Sequence, residues 1–304
     1  MVTRTEPSIP LHRHSPQYDG RMNWESSFYE LSTIAARQQG LVTAAQAKRV
    51  GVPSEALDHF LDARLLMDLD LSVFQLVSSL AAPVYAYPYA AWLATAPELY
   101  AWERAEAPHE EVVLSHQSAA RLHRIGAGLS LASTAFTAPT EREAPRATII
   151  HVAPLAPHEV TTEGGVPLTT PHRTIVDLVR IGTGHDEVGG VMTRALKHDL
   201  VDIRALHSDL VPLAERHAFP PDGPGFVDHF LIGPLRRSLP RPLSPRNLRG
   251  LAELRSPDSV RGVEELLRKL AASGGSPAAA VLTEDPGFTR DIAAEIVGRN
   301  GPVG

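Results

Sequence analysis

The stretch Leu31–Leu76, LSTIAARQQGLVTAAQAKRVGVPSEALDHFLDARLLMDLDLSVFQL, decides the fold of the N-terminal part. Gly40 ends a first helix, because a glycine just past a helix accepts the left-handed backbone that closes it. Thr43-Ala44-Ala45-Gln46 is a capping-box pattern and starts a second helix. Gly51-Val52-Pro53-Ser54 is a short turn. Ser54 and Glu55 suit the start of a third helix, Ser54–Ala63, where free N–H groups and the dipole favour oxygen and negative charge. Leu65, Leu66, Leu69, Leu71, Val73 and Leu76 then alternate with Met67, Asp68, Asp70, Ser72 and Gln75, the period of a half-buried hairpin. Helix, helix, helix and hairpin is the layout of a winged helix-turn-helix. In that motif the second helix of the pair enters a DNA major groove.

Working outward, the first helix is predicted over Glu25–Gln39, with Phe28, Leu31, Ile34 and Ala35 on one apolar face. Upstream, MVTRTEPSIPLHRHSPQYDGRM has no apolar core of a signal peptide, so residues 1–23 read as a disordered arm. The chain has 304 residues, room for roughly two domains. It has no cysteine, which excludes disulfides and thiol chemistry and fits a reducing cytoplasm. No apolar run approaches the roughly 20 residues of a membrane helix, so no membrane partner is expected. The net charge of −6 gives no global bias toward nucleic acid, so any such case rests on local charge.

Downstream, Pro83–Pro88 reads as a break, followed by helical patterns Tyr89–Ala96 and Glu98–Ala105. Their Trp92, Leu93, Leu99, Tyr100 and Trp102 are expected to pack back on the first module, which spans 24–109. A second, α+β domain is expected over 110–219. It holds a short strand Val112–Leu114 and a helix Gln117–Ile125 capped by Ser115. Strands Thr134–Thr137, Thr148–Val152, Glu159–Thr162 and Val166–Thr169 follow, with Gly164-Gly165 as a hairpin turn between the last two. Thr170-Pro171 opens a helix through Arg180. Helical patterns Glu187–His198 and Asp202–His217 complete the domain. Pro220–Gly225 reads as a linker or a sharp boundary before a mostly helical segment, 220–304. There Val260, Val263, Leu267 and Leu270 line one side of a helix that starts at Ser256-Pro257-Asp258. A short helix Thr289–Val297 is the last.

Several residue groups invite a chemical reading. Ser115, His116 and Asp177 contain the residue types of a hydrolase triad, but no G-x-S-x-G surrounds Ser115, which sits where a helix cap belongs. The 14 histidines show no H-E-x-x-H, so no metal is expected. Gly126-Ala127-Gly128 lacks the flanking glycine and lysine of a phosphate loop. Arg173 and Asp177 stand four apart and read as a structural pair. From Leu231 to Leu270, nine basic residues (Arg236, Arg237, Arg241, Arg246, Arg249, Arg255, Arg261, Arg268 and Lys269) face four acidic ones, a net +5. That cluster suits either a solvated face or an acidic partner.

Three stretches together resemble the AbiEi family of type IV antitoxins, a group that includes mycobacterial MenA-like members. They are Gly40-Leu41-Val42-Thr43-Ala44-Ala45-Gln46-Ala47 with Gly51-Val52-Pro53; Val113-Leu114-Ser115-His116-Gln117-Ser118-Ala119-Ala120; and Gly165–Leu178, GVPLTTPHRTIVDL. They stand in the family's order over roughly residues 30–215. The resemblance implies a non-enzymatic, cofactor-free antitoxin. Its winged helix would bind inverted repeats in its own promoter and repress the operon. Its following domain would counteract a cognate nucleotidyltransferase toxin. Ser115, His116, Thr170, Arg173 and Asp177 match fold-marking positions of the family.

The chain departs from the family at the wing, where relatives commonly carry basic residues and a Gly-Val-Tyr. Here the run is Met67-Asp68-Leu69-Asp70-Leu71-Ser72-Val73-Phe74. From Trp24 to Val77, four basic residues face seven acidic ones, a net −3. Phosphate neutralisation supplies most non-specific DNA affinity, so such a module binds weakly or borrows charge. The residues expected to meet DNA are Lys48, Arg49, Ser54, His59 and Arg64. Arg236, Arg237 and Arg241 are expected to meet DNA or the toxin. The alternative is a stand-alone winged-helix transcriptional regulator with no toxin. A nuclease reading needs clustered carboxylates with a lysine, and the segment after Pro220 has none.

Overall fold

The computed structural model describes residues 23–300, apart from 71, 80, 81, 105, 131, 238–241, 274–281 and 283. Nearly all of the expected arm, residues 1–22, lies outside the described residues. The architecture is mixed α+β.

The first unit holds α1 (Trp24–Ala36), β1 (Leu41–Thr43), α2 (Ala44–Arg49), α3 (Ser54–Asp62), β2 (Leu66–Asp70) and β3 (Val73–Leu76). Asn23 caps α1 by accepting from the Ser26 N–H at 3.2 Å. The chain leaves α1 through Gln39 (φ 58°) and Gly40 (φ 81°). Gly40 lies so close to Ser79 that a Cβ would overlap its side chain. The capping box at α2 is complete, with the Gln46 N–H on the Thr43 hydroxyl and the Thr43 N–H on the Gln46 side chain. α3 begins at Ser54, as expected, with Pro53 at its cap position. Leu31, Ile34, Val42, Ala47, Leu57, Phe60, Leu66 and Phe74 form one core. Burying a ring such as Phe60 contributes about 2–3 kcal/mol.

The hairpin β2–β3 is joined by β1 into a three-stranded antiparallel sheet of order β1-β3-β2. The sequence alternation predicts strands buried on one face. Instead β3 is buried on both faces, Gln75 included, because it is the central strand. Leu65 is exposed.

The segment Pro83–Pro88 is not a break: it forms the first half of helix α4 (Pro83–Ala94). Pro83 takes the first helical position, where its missing N–H costs nothing. Pro88 lies inside the helix at a half-buried position, one turn after the exposed Val84 on the same face, so water can serve the Val84 carbonyl it leaves unbonded. Glu98–Ala105 is not a helix either; only a 3-10 turn forms at Ala101–Glu103. Its backbone groups are taken by buried side chains of the first unit. Thr43 donates to the Pro97 carbonyl at 2.6 Å, Gln46 donates to the Leu99 carbonyl at 2.7 Å, and Gln38 accepts from the Ala101 N–H at 2.7 Å. Those groups are therefore unavailable to an α-helical ladder. Trp92, Leu93 and Tyr100 are buried as expected, whereas Leu99 and Trp102 are exposed.

The second unit is a five-stranded sheet of order β6-β5-β4-β8-β7, with β4 (Val113–Leu114), β5 (Thr134–Ala138), β6 (Thr148–Val152), β7 (Val160–Glu163) and β8 (Val166–Thr169). β4–β5 and β7–β8 are antiparallel; β4–β8 and β5–β6 are parallel. Gly164 (φ 58°) and Gly165 (φ 81°) make the tight β7–β8 turn under the rings of Tyr85 and Tyr89, where no Cβ fits. Helices α5 (His116–Leu122) and α6 (Pro171–Arg180) leave β4 and β8 in turn. Thr170 caps α6, as expected.

One apolar cluster unites Leu41 and Val73 of the small sheet with Tyr89, Trp92 and Leu93 of α4 and with Val112, Leu114, Phe136 and Leu168 of the large sheet. Packing is thus continuous across the expected boundary at 109/110. The Trp92 Nε1–H donates to the Val112 carbonyl at 3.1 Å in the same place.

Helices α7 (His185–Lys197), α8 (Ile203–Leu210), α9 (Gly223–Phe230), α10 (Ile232–Arg237) and α11 (Pro245–Arg255) follow. The predicted helix Asp202–His217 stops at Leu210, and Pro212 lies in a 3-10 turn. Pro220–Gly225 does not behave as a linker. Asp222 caps α9 by accepting from the Gly225 N–H at 2.8 Å. Phe226, Val227, Phe230 and Leu231 then share one core with Ile175, Met192 and Leu206. A smaller cluster joins α11 to α12 (Pro257–Ser273) and α13 (Pro286–Asn300) through Ala252, Val260, Ala293 and Ala294. Val260 is buried there, but Leu270 is exposed.

Candidate DNA-contact face and a buried polar joint

The residues expected to meet DNA sit on α2, α3 and the turn after α3. Lys48, Ser54, His59 and Arg64 are exposed. The His59 ring stacks on Trp24 with centroids 4.3 Å apart. Arg64 occupies the left-handed turn into β2, with φ 56°. The Ser54 hydroxyl donates to its neighbour Glu55 at 3.4 Å.

Arg49 has a different job. Its guanidinium makes two bonds to Glu103, at 2.6 and 2.9 Å, and donates to the Glu98 carbonyl at 2.6 Å. It also lies 4.1 Å over the Tyr100 ring. The bond from Arg49 and a further bond from the Tyr100 N–H hold the Glu103 carboxyl at about 2. Arg49 therefore fastens the 97–103 segment onto α2 and is not available to a phosphate. Arg37 is likewise engaged, 3.8 Å over the Trp102 ring. Among the described residues of this unit, Lys48 and Arg64 are the cations with no such partner. The exposed face of α3 presents Glu55, Asp58 and Asp62. The negative balance read from the sequence is thus sharper at the surface than in the count.

The basic cluster after Leu231 also changes meaning in three dimensions. Arg246 pairs with Asp199 at 2.7 Å, Arg249 with Asp291 at 3.6 Å and Glu295 at 3.7 Å, Arg255 with Asp228 at 3.8 Å, and Arg261 with Asp258 at 3.1 Å. Arg268 pairs with Glu264. Asp199, Asp228, Asp291 and Glu295 lie outside the window Leu231–Leu270, so counting within that window missed the neutralising charges. Of Arg236 and Arg237, only the position at the end of α10 is described. Arg241 lies outside the described residues.

A buried polar joint forms where the second and third sequence motifs meet. Ser115 is fully buried, and its hydroxyl lies 2.8 Å from His116 Nδ1. The Ser115 side chain makes no cap bond to α5, against expectation. His116 has left-handed backbone (φ 52°) and stacks on His151 with centroids 3.9 Å apart. Asp177 accepts from Arg173 Nε at 2.8 Å and from Arg180 at 3.2 Å, and Arg173 also donates to Glu159 at 2.7 Å. Burial first, then the charges of His151, Arg173 and Arg180, push His116 down to about 3, so it is neutral. Burial also lowers His151 and raises the Asp177 carboxyl against the pull of its two arginines.

The joint thus gathers the triad residue types, and sequence reasoning missed the His151 and Glu159 that complete it. Their only signal was an inward position on β6 and a place beside β7, and neither reveals which strands pair. A nucleophile must reach its substrate, and Ser115 Oγ is sealed inside. The bonds of the joint tie α6 to the segment before β7 through Arg173 and Glu159, and the His116–His151 stack ties the start of α5 to β6. Among the described residues, no group of three or more His, Asp or Glu is placed to hold a metal. No described helix is long and apolar enough to cross a membrane.

No family model and no curated protein matches the chain. Among solved structures, the crystal structure of the RV2827C protein from Mycobacterium tuberculosis is similar at 14% identity and a TM-score of 0.40. The similarity covers 91% of this chain and 82% of that one. A likeness at that level carries no functional argument.

Proposed function

We propose that the chain is an AbiEi-like antitoxin, that residues 24–77 are its winged helix, and that it opposes a nucleotidyltransferase toxin. One observation carries this reading. The second and third motifs of the resemblance form two matching strand-to-helix units, β4–α5 and β8–α6. Their strands are parallel neighbours, with Leu114 opposite Leu168. Motifs that build one joint have a physical reason to occur together and in order. The winged-helix part is supported by α2, α3 and the β2–β3 hairpin closing on β1 in the order β1-β3-β2. The test is co-expression with the gene product of an adjacent nucleotidyltransferase. Restored growth is the expected result; persistent growth arrest while this protein accumulates overturns the reading. Absence of any such neighbouring gene favours the stand-alone regulator instead.

Autorepression through promoter DNA belongs to the same proposal, with Lys48, Ser54, His59 and Arg64 as its contacts. Arg236, Arg237 and Arg241 are further candidates for DNA or toxin. Lys48→Gln should reduce the salt slope of promoter binding by about one. Arg49→Gln should leave that slope unchanged and lower the melting temperature, because Arg49 serves the fold. A slope unchanged by Lys48→Gln removes α2 from the DNA interface.

The acidic face of α3 favours a second reading, in which this face docks on a basic surface of the toxin. Reversing Glu55, Asp58 and Asp62 to lysine separates the two. Docking predicts loss of toxin neutralisation, whereas DNA reading predicts tighter promoter binding.

A further inference from the structure

We propose that the groove between α4 and α5 binds a small molecule with an apolar body and a carboxylate. The groove is a cavity of about 450 Å³, within the range of ordinary ligand pockets. Pro83, Val84 and Tyr87 on the first turns of α4 form one wall, and Leu122 of α5 forms part of the other. Val84 is 44% exposed and Tyr87 56% exposed, large apolar groups left at the surface. Arg121 of α5 stands at the same cavity and Ser133 adds a hydroxyl.

Arg121 is the informative residue. Several arginines of the described chain are matched with acceptors, as Arg49 is with Glu103, Arg104 with Glu111 and Arg173 with Asp177, whereas the exposed Arg64 is not, so what distinguishes Arg121 is its place at an apolar cleft. Even Arg124, three residues on, donates to the Tyr85 hydroxyl at 3.2 Å. Arg121 is exposed and has no hydrogen-bond or ion-pair partner among the described residues. An apolar cleft with one uncommitted guanidinium fits an anion carrying an apolar body. A phosphate alone would leave the apolar wall wet, and a neutral hydrocarbon would leave Arg121 unused.

The position gives such a ligand leverage. α4 shares one core with both sheets, so a molecule wedged between α4 and α5 touches the junction of the two units. The proposal goes beyond the antitoxin reading and does not depend on it.

Calorimetric titration of the full chain with 4-phenylbutyrate, and with its neutral analogue 4-phenylbutanol, tests it. The carboxylate should bind, and Arg121→Gln should weaken it by about tenfold while leaving the alcohol unchanged. Val84→Trp should fill the cleft and abolish binding of both. Arg121 and Val84 are exposed, so an unchanged melting temperature is expected and serves as the folding control. No binding at millimolar concentration, equal binding of acid and alcohol, or binding that survives Val84→Trp overturns the proposal.

Discussion

Gln38 has no exposed surface and stands at the centre of a small polar network. Its amide donates to the Leu41 carbonyl at 3.1 Å and to Gln46 at 2.8 Å, and it accepts from the Ala101 N–H. Gln38→Ala leaves several buried groups unpaired, so urea denaturation should show a loss of about 2–4 kcal/mol. His116 offers a second test. Its folded pKa of about 3 lies below the ordinary histidine value, so the unfolded chain binds a proton before the folded one does. The stability it confers is complete above about pH 6.5 and drains away as pH falls toward about 3. His116→Asn keeps a residue tolerant of left-handed backbone and should flatten that acid slope by on the order of 2–4 kcal/mol. A parallel slope in wild type and variant shows that other groups drive the acid transition. Neither residue stands out in the sequence. Gln38 is there one polar residue near the end of the first predicted helix, and the ring that stacks on His116 belongs to a histidine on the strand β6.

At the scale of elements, the capping box at Thr43, the Gly164-Gly165 hairpin and the Thr170-Pro171 start were legible because each is local. Caps and tight turns are decided within four residues of chain. Two of the misread elements were decided from a distance. Pro83–Pro88 joins a helix because Ala86 within it and Tyr89 and Trp92 beyond it are buried. Glu98–Ala105 loses its helix to the side chains of Gln38 just after α1, Thr43 and Gln46 of α2. The α7–α9 crossing makes the same point about packing. Gly189 lies so close to the Phe230 carbonyl that an added Cβ would overlap it. Gly189→Ala should force the helices apart and cost about 1–3 kcal/mol, read from a shifted denaturation midpoint. An unchanged midpoint means that the crossing relaxes freely.

Across the whole molecule, the expected divisions at 109/110 and 219/220 have continuous apolar packing. A chain ending at Phe219 would strip Phe226, Val227, Phe230 and Leu231 from the core around Ile175 and Met192. That fragment should unfold at lower denaturant or aggregate; cooperative unfolding with an unchanged midpoint would show a separable C-terminal domain instead. Charge behaves in the same way at this scale. The arginines after Leu231 looked like a basic surface because their carboxylate partners are remote in sequence. The sequence by itself determined the capping box at Thr43, the Gly164-Gly165 turn and the Thr170-Pro171 helix start, and that the first module carries more acid than base. Hydrophobic period and capping chemistry are properties of neighbouring residues, so they can be read along the chain. Only the tertiary structure decided that Arg49 is spent on Glu103, that Ser115 is sealed away, and that Arg121 is left uncommitted beside a cleft. Burial and ion pairing depend on which distant segments meet, and the physics of a local window does not contain that information.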